Sequence, residues 1–272
     1  MKIIHFNQGQ AGDLCINTVA ARQYKECNPE DTIIMSVNKK YIDLLPLFYN
    51  HPHIDGFHVW DGYDIATTKD TEWLARNGKN IVLKTPMPQH TQNEWWKYYH
   101  QGHECCLMNG VNILHSQDFS CYLEKWFNVP KYNNTIAFAP FAGWYNQNND
   151  KKLTQQKAQE IVNLLTKEGY SIIQIGGHNE PILANAIKYN TSYFDSMKNI
   201  LGCELLITTD TWCSWYSSAY KFPTLGLYSN SYYTVSFIKN IQPINPNAIY
   251  LDANNVNNIP NELIIDKIKA MI

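Results

Sequence analysis

Asp210-Thr211-Trp212-Cys213-Ser214 separates an apolar run, Leu205-Leu206-Ile207-Thr208-Thr209, from a stretch of small and aromatic residues that ends at Pro223. A second apolar run, Thr224-Leu225-Gly226-Leu227-Tyr228, follows at once. The pattern predicts a buried strand, a sharp polar turn, a short helix and another strand. Asp210, Thr211 and Ser214 then lie at the carboxyl end of a strand and at a helix N-terminus. Open α/β sheets bind their ligands at such places. The free N–H groups and the helix dipole there favour anions, phosphate above all. Asp and Thr are equally good helix caps, so capping and binding both stand as readings of Asp210 and Thr211.

Other chemistry-bearing groups sit in similar turns. Asp13 follows Gly12 after an apolar N-terminal segment, and Gly176-Gly177-His178-Asn179-Glu180 follows another apolar run. His100, His103, Cys105 and Cys106, with His115 and Cys121 nearby, are all metal-capable. Their spacing matches no zinc pattern, and adjacent cysteines do not easily share a tetrahedral site. The expectation is therefore no metal, but ordinary histidines and buried cysteines. Trp95, Trp96, Tyr98 and Tyr99 could line an acceptor groove, but core packing is the favoured reading.

The whole chain limits what these groups can serve. It has 272 residues, 44% of them apolar and 17% charged, and a formal charge of −2. That length suits one large or two small domains. The near-neutral charge argues against a general nucleic-acid binder, which needs a basic surface. The richness in Asn reads as compositional bias. The N-terminus lacks the apolar segment and cleavage site of a signal peptide. No apolar run is long enough to span a bilayer. The expectation is a cytoplasmic protein, with contact at the inner membrane face left open, although no basic amphipathic helix stands out. Seven cysteines without CxxC pairs read as free thiols.

The elements that must position the candidate residues alternate in type. Strands are predicted over 2–7, 32–37, 57–60 and 81–84, with a loop at 8–12 and helices from Asp13 to about Cys27 and over 39–49. Residues 93–108 and 118–127 read as aromatic-rich helices. The polar, proline-bearing stretch 128–134 reads as a linker. Alternation then restarts with a strand over 135–139, a long loop over 140–150, and a helix capped by Thr154 and ended at Gly169. A strand over 171–175 follows, then a tight turn at 176–180 into a helix through Tyr189. An amphipathic helix over 259–272, with Leu263, Ile264, Ile268 and Met271 on its apolar side, closes the chain. Such β/α alternation implies parallel sheets with right-handed crossovers. The fold class is α/β, with two Rossmann-like domains over 1–133 and 134–272 facing across a cleft. The last helix is free to pack back on the first domain.

Four places together give the chain a resemblance to the glycosyltransferases typified by the ADP-heptose:lipopolysaccharide heptosyltransferases, glycosyltransferase family 9, of GT-B fold. Gly12-Asp13 before Thr18-Val19-Ala20-Ala21 is similar to the family's GD-x-x-x-x-T-P-A. Pro52-His53-Ile54-Asp55 is similar to its NP-x-ID, and Gly176-Gly177-x-x-Glu180 to its GG-x-x-E. Asp210-Thr211-x-x-Ser214 with Ala219 and Pro223 is similar to its DTG-x-SH-x-A-x-A-x-x-x-P. The resemblance implies an inverting, metal-independent transfer of sugar from a nucleoside diphosphate donor, which is a substrate, with no cofactor. The acceptor would be a glycan or lipid-linked glycan. Asp13 would be the general base on the acceptor hydroxyl, and a helix N-terminus favours its charged form. Lys151, with Lys152 as the alternative on register, would offset charge on the departing diphosphate. Glu180 would bind the donor's ribose, and Gly12, Gly176, Gly177, Asp210, Thr211 and Ser214 would complete the site. The chain departs from the family at Val19, at Trp212 where glycine is usual, and at Trp215 where histidine is usual. These departures keep open a non-catalytic nucleotide- or sugar-binding protein of the same fold. An α/β enzyme of other chemistry, such as a sugar-nucleotide epimerase, is a third reading.

Overall fold

The computed structural model describes residues 3–6, 11–60, 81–83, 118–141, 149–189, 191–231 and 238–272. The expected helix over 93–108, its aromatic residues, and His100, His103, Cys105, Cys106 and His115 lie outside the described residues. The chain divides into two compact units, Met1–Lys125 and Trp126–Ile272.

In the first unit the strands are β1 (Ile3–Phe6), β2 (Thr32–Asn38), β3 (Gly56–Trp60) and β4 (Ile81–Leu83). They pair in parallel in the order β3-β2-β1-β4. The order reverses at β1, which makes its carboxyl end the switch point of this sheet. Helix α1 (Ala11–Cys27) follows β1 directly. It starts two residues earlier than its sequence suggests, so Gly12 lies inside the first turn and Asp13 is its third residue. Leu14, Ile16, Val19 and Ala20, expected on the apolar face, are all buried. Residues Lys39–Phe48 form a 3-10 helix rather than an α-helix, interrupted at Tyr41 and carrying Pro46, which cannot donate to a ladder.

Asp55 explains the Pro52–Asp55 turn in structural terms. Its carboxylate accepts from the Ile33 N–H at 2.7 Å and pairs with Lys25 Nζ at 2.9 Å. The turn thereby clamps the start of β2 to the end of α1.

The expected helix over 118–127 is absent, because other groups take up its backbone. Asp118 Oδ1 accepts from the N–H and the hydroxyl of Ser120, at 2.9 and 2.6 Å. The Asp118 carbonyl accepts from Arg22 Nη2 and Gln23 Nε2 on α1, at 2.6 and 3.2 Å. The segment is laced to α1 instead of to itself, and Cys121 and Leu123 are buried beneath it.

The second unit holds β5 (Thr135–Ala139), β6 (Ser171–Gln174), β7 (Ala186–Lys188), β8 (Leu205–Thr209), β9 (Thr224–Ser229) and β10 (Ala248–Ala253). Every pairing is parallel, in the order β10-β9-β8-β5-β6-β7. This is the strand order of a dinucleotide-binding fold, with its switch point between β5 and β8. Every residue of β5, β8 and β9 is buried, which is why they read as unbroken apolar runs. Helices α2 (Gln155–Lys167), α3 (Tyr193–Gly202), α4 (Trp212–Ala219) and α5 (Asn261–Met271) cover the sheet. Thr154 caps α2 by accepting the Lys157 N–H at 3.1 Å, and Gly169 turns the chain at φ +96°, as the sequence predicts.

Three expectations for this unit fail. No helix follows Glu180; the edge strand β7 forms instead. The buried Gln174 amide donates to the Pro181 carbonyl at 2.7 Å and accepts from Leu183 N–H at 3.0 Å. Gln159 makes the same pair of bonds to Ala184, at 3.0 and 2.8 Å. Backbone groups that a helix would pair are thus held by side chains. Strand β10 was not anticipated; as an edge strand it is only half-buried, and its apolar run, Ala248-Ile249-Tyr250-Leu251, is short and set among Asn- and Pro-rich segments. On α5, Leu263 is 38% exposed and Ile265 takes its place against α2, beside Ile264 and Ile268.

No described helix is long and apolar enough to cross a membrane. Cys15, Cys27, Cys121, Cys203 and Cys213 are free thiols.

Candidate functional site

The loops that leave β5, β6 and β8 meet at the carboxyl edge of the second unit's sheet. Lys151, in a single 3-10 turn (Asn149–Lys151) after β5, reaches Asp210 at the end of β8. Its Nζ lies 3.1 Å from Asp210 Oδ2, and the two side chains are 14% and 22% exposed. The ion pair therefore spans the switch point, linking the loops of the two central strands. Of the two lysines that the sequence leaves open, Lys151 is the one on Asp210. The backbone carbonyl of Lys152 instead accepts from Asn257 Nδ2 at 3.1 Å.

Two residues that sequence reasoning missed hold this lysine in place. Asn255 Nδ2 donates to Asp150 Oδ1 at 2.7 Å, and Asn257 Oδ1 accepts from the Thr154 N–H at 2.7 Å. The turn carrying Lys151 is thus fixed by the loop before α5. The signal was the run Asn254-Asn255-Val256-Asn257-Asn258, which an explanation by compositional bias conceals.

Glu180 closes the other side of the site. A Cβ on Gly176 would lie 1.8 Å from Glu180 Oε2, so the carboxylate occupies the space that a side chain there would fill. This accounts for the first glycine of the pair; a Cβ on Gly177 would meet nothing within 4 Å. Lys188 Nζ donates to the carbonyls of Gly177 and Glu180, both at 2.8 Å, and staples the loop from beneath. Oε2 of Glu180 is buried and has no hydrogen-bond partner among the described residues. Burial pushes its carboxyl up to about 7, against the opposing pull of the Gly177 N–H and the Lys188 charge. The Glu180 charge also adds to the rise of the Cys213 thiol, which burial drives up to about 12. The 176–180 loop thus acts electrostatically on the first turn of α4.

This buried acid has a measurable signature. With its folded pKa above the ordinary 4.5, Glu180 contributes stability below pH 4.5 that is lost as pH rises to about 7. Glu180→Gln does not titrate, so it is expected to match the parent near pH 4.5 and to exceed it at pH 8. The expected gain is about 2 kcal/mol after discounting for partial exposure, or about 4–8 °C in thermal midpoint. Gly176→Ala, which expels the carboxylate into water, should abolish the same pH dependence. Parallel midpoints for parent and Glu180→Gln from pH 4.5 to 8 would refute the assignment.

The remaining predicted residues divide. Thr211 stands at the N-cap position of α4, but its side chain makes no cap bond; its Oγ1 lies 3.0 Å from Thr208 Oγ1. Neither Asp210 nor Thr211 is thus spent on capping. Ser214 does not face outward as expected. It is fully buried, with Oγ 2.7 Å from the Tyr228 hydroxyl. Helix α4 is buried on nearly every face, and its serines bond inward: Ser217 accepts from Thr224 Oγ1 at 3.1 Å and Ser218 donates to the Ile244 carbonyl at 2.8 Å. Trp215 is only 5% exposed and belongs to this core. In the first unit, Gly12 and Asp13 lie at the positive end of α1, beside that sheet's own switch point, and Asp13 is half-buried. Cys15, two residues on, is buried against Cys121, and burial holds its thiol well above the ordinary range. Among the described residues no group of three His, Cys, Asp or Glu is placed to hold a metal ion.

No protein-family model matches the sequence, and no curated protein sequence matches it significantly. Solved structures do match. ADP-heptose lps heptosyltransferase II of E. coli superposes with a TM-score of 0.75 at 13% identity, over 100% of this chain and 98% of that one. A glycosyl transferase family 9 protein from Veillonella parvula DSM 2008 gives 0.72 at 14% identity, over 99% and 96%. E. coli heptosyltransferase WaaC with ADP gives 0.69 at 11% identity, over 100% of both chains. At these identities the likeness establishes the fold: two Rossmann-like α/β units built as in these transferases.

Proposed function

We propose that this chain is a glycosyltransferase of the GT-B class that moves a sugar from a nucleoside diphosphate donor to a glycan or lipid-linked glycan, with inversion and without a metal. The observation that carries the reading is the Lys151–Asp210 pair across the switch point, together with the buried Glu180 oxygen, without a partner among the described residues, on the loop after the neighbouring strand β6. An ion pair at the switch point with a further carboxylate on the loop of the neighbouring strand suits a ligand that is anionic at one end and rich in hydroxyls at the other. Lys151 would take the diphosphate, while Glu180 and Asp210 would accept hydroxyl protons from sugars. A sugar nucleotide has that polarity. In the first unit, Asp13 would take the acceptor's proton as its oxygen attacks the anomeric carbon and the diphosphate departs.

The test is a thermal-shift series with ADP, GDP, UDP and CDP in EDTA, followed by transfer assays with matching sugar conjugates. One nucleotide at a hundred times its dissociation constant should add about 2.7 kcal/mol. Stabilisation by none of them, with or without magnesium, would sink the proposal. The inward-facing Ser214 and the buried Trp215 favour a second reading, a binding protein of the same fold that has lost turnover. Nucleotide binding without transfer to any acceptor would select it.

A further inference from the structure

Trp212 follows Asp210 and Thr211 directly, where the resemblance leads one to expect glycine, and neither the ion pair nor the acid accounts for it. Its ring meets that of Tyr193 edge to face, with centroids 5.1 Å apart and planes at 81°. It also meets the fully buried Tyr216, at 5.7 Å and 73°. Trp212 opens α4 after β8, and Tyr193 opens α3 after β7. Side chains at a helix start lean toward its N-terminus, so both rings lean toward the carboxyl rim of the sheet. Both are partly exposed, although the residues after Trp212 on α4 are buried. A large aromatic pair left half-open at a polar site, and braced from behind by a core tyrosine, is a rigid flat surface of the kind that stacks planar rings.

We infer that Trp212, backed by Tyr193, is the platform for the donor's nucleobase. The inference rests on the nucleotide-sugar reading of this site and deepens it. The ion pair and the carboxylate deal with phosphate and hydroxyls, and neither offers anything to the base. Stacking on an aromatic side chain supplies affinity with little discrimination among bases, because every base has a π-face. The chain thus gains in base contact what a glycine at position 212 would have given in close backbone approach.

The test compares parent, Trp212→Ala, Trp212→Phe and Tyr193→Leu by calorimetric titration with two probes, the best-bound nucleoside diphosphate and inorganic pyrophosphate. Trp212→Ala is expected to weaken the nucleoside diphosphate about 10- to 100-fold and to leave pyrophosphate within about 3-fold. Trp212→Phe keeps a ring and should retain affinity within about 5-fold, which separates stacking from a folding defect. Tyr193→Leu should fall between them. Unchanged or tighter nucleotide binding by Trp212→Ala would show that the indole is a plug and overturn the inference. An equal loss for pyrophosphate would overturn it too, by placing the effect on the phosphate site and not on the base. If the parent binds no nucleoside diphosphate, the functional reading fails with it; if the parent binds and only these variants misbehave, that reading stands.

Discussion

Asp13→Asn is expected to lower sugar transfer by about 10²- to 10⁴-fold while leaving donor binding unchanged. The amide preserves the shape of the side chain but accepts no proton. The proposed donor groups Lys151, Glu180 and Asp210 all belong to the second unit, so its nucleotide-induced thermal shift should not move. kcat and kcat/KM should fall together, because the interaction is made in the transition state alone. The competing structural role is modest. A negative charge in the first turn of a helix contributes about 0.3–1 kcal/mol, which would appear as a small drop in midpoint and no loss of turnover. Retention of transfer within a few-fold of the parent would reduce Asp13 to that role.

What the sequence disclosed, and what it concealed, follows from where each signal is stored. The central strands were legible because burial on both faces writes itself as an unbroken apolar run, as in residues 135–139 and 205–209. The cap at Thr154 and the positive-φ Gly169 were legible because single residue types satisfy those backbone demands. Edge strands β7 and β10 were not, since half-exposure dilutes the pattern. The supposed helices after Glu180 and over 118–127 failed for a different reason. Their periodicity was plausible, but Gln174, Gln159, Arg22 and Gln23 claim the backbone from elsewhere in the chain, and local sequence holds no record of that. The site shows the same division. Asp210 could be singled out by residue type at a strand end, and Lys151 and Glu180 only through the family resemblance, whereas Ser214 could not be known to turn inward before Tyr228 was placed behind it. Asn255 and Asn257 act through a loop about a hundred residues from the lysine turn they fix, so only the tertiary structure makes them readable.

Lys151→Met should cost more than the loss of one cation, because Asp210 would be left beside the diphosphate with its charge uncompensated. Methionine retains most of the lysine stem, so packing is largely spared. Removing a preorganised group that meets developing charge typically costs about 10²- to 10³-fold in kcat, roughly 2.7–4 kcal/mol. Here the parent's 3.1 Å contact with Asp210 adds a second term: once Nζ is gone, the carboxylate repels the incoming phosphates. Asp210→Asn acts in the opposite sense on binding. It frees Lys151, so affinity for the bare nucleoside diphosphate should hold or rise, while transfer falls if Asp210 also orients the sugar. The double variant then decides the matter. Restoring neutrality should recover part of the binding lost in Lys151→Met, with a coupling energy of about 0.5–3 kcal/mol between the two positions. Titration of the four proteins with one nucleoside diphosphate closes that cycle. Strict additivity would mean that the pair does not act as a unit on the ligand, and that the ion pair at the switch point only ties two loops together.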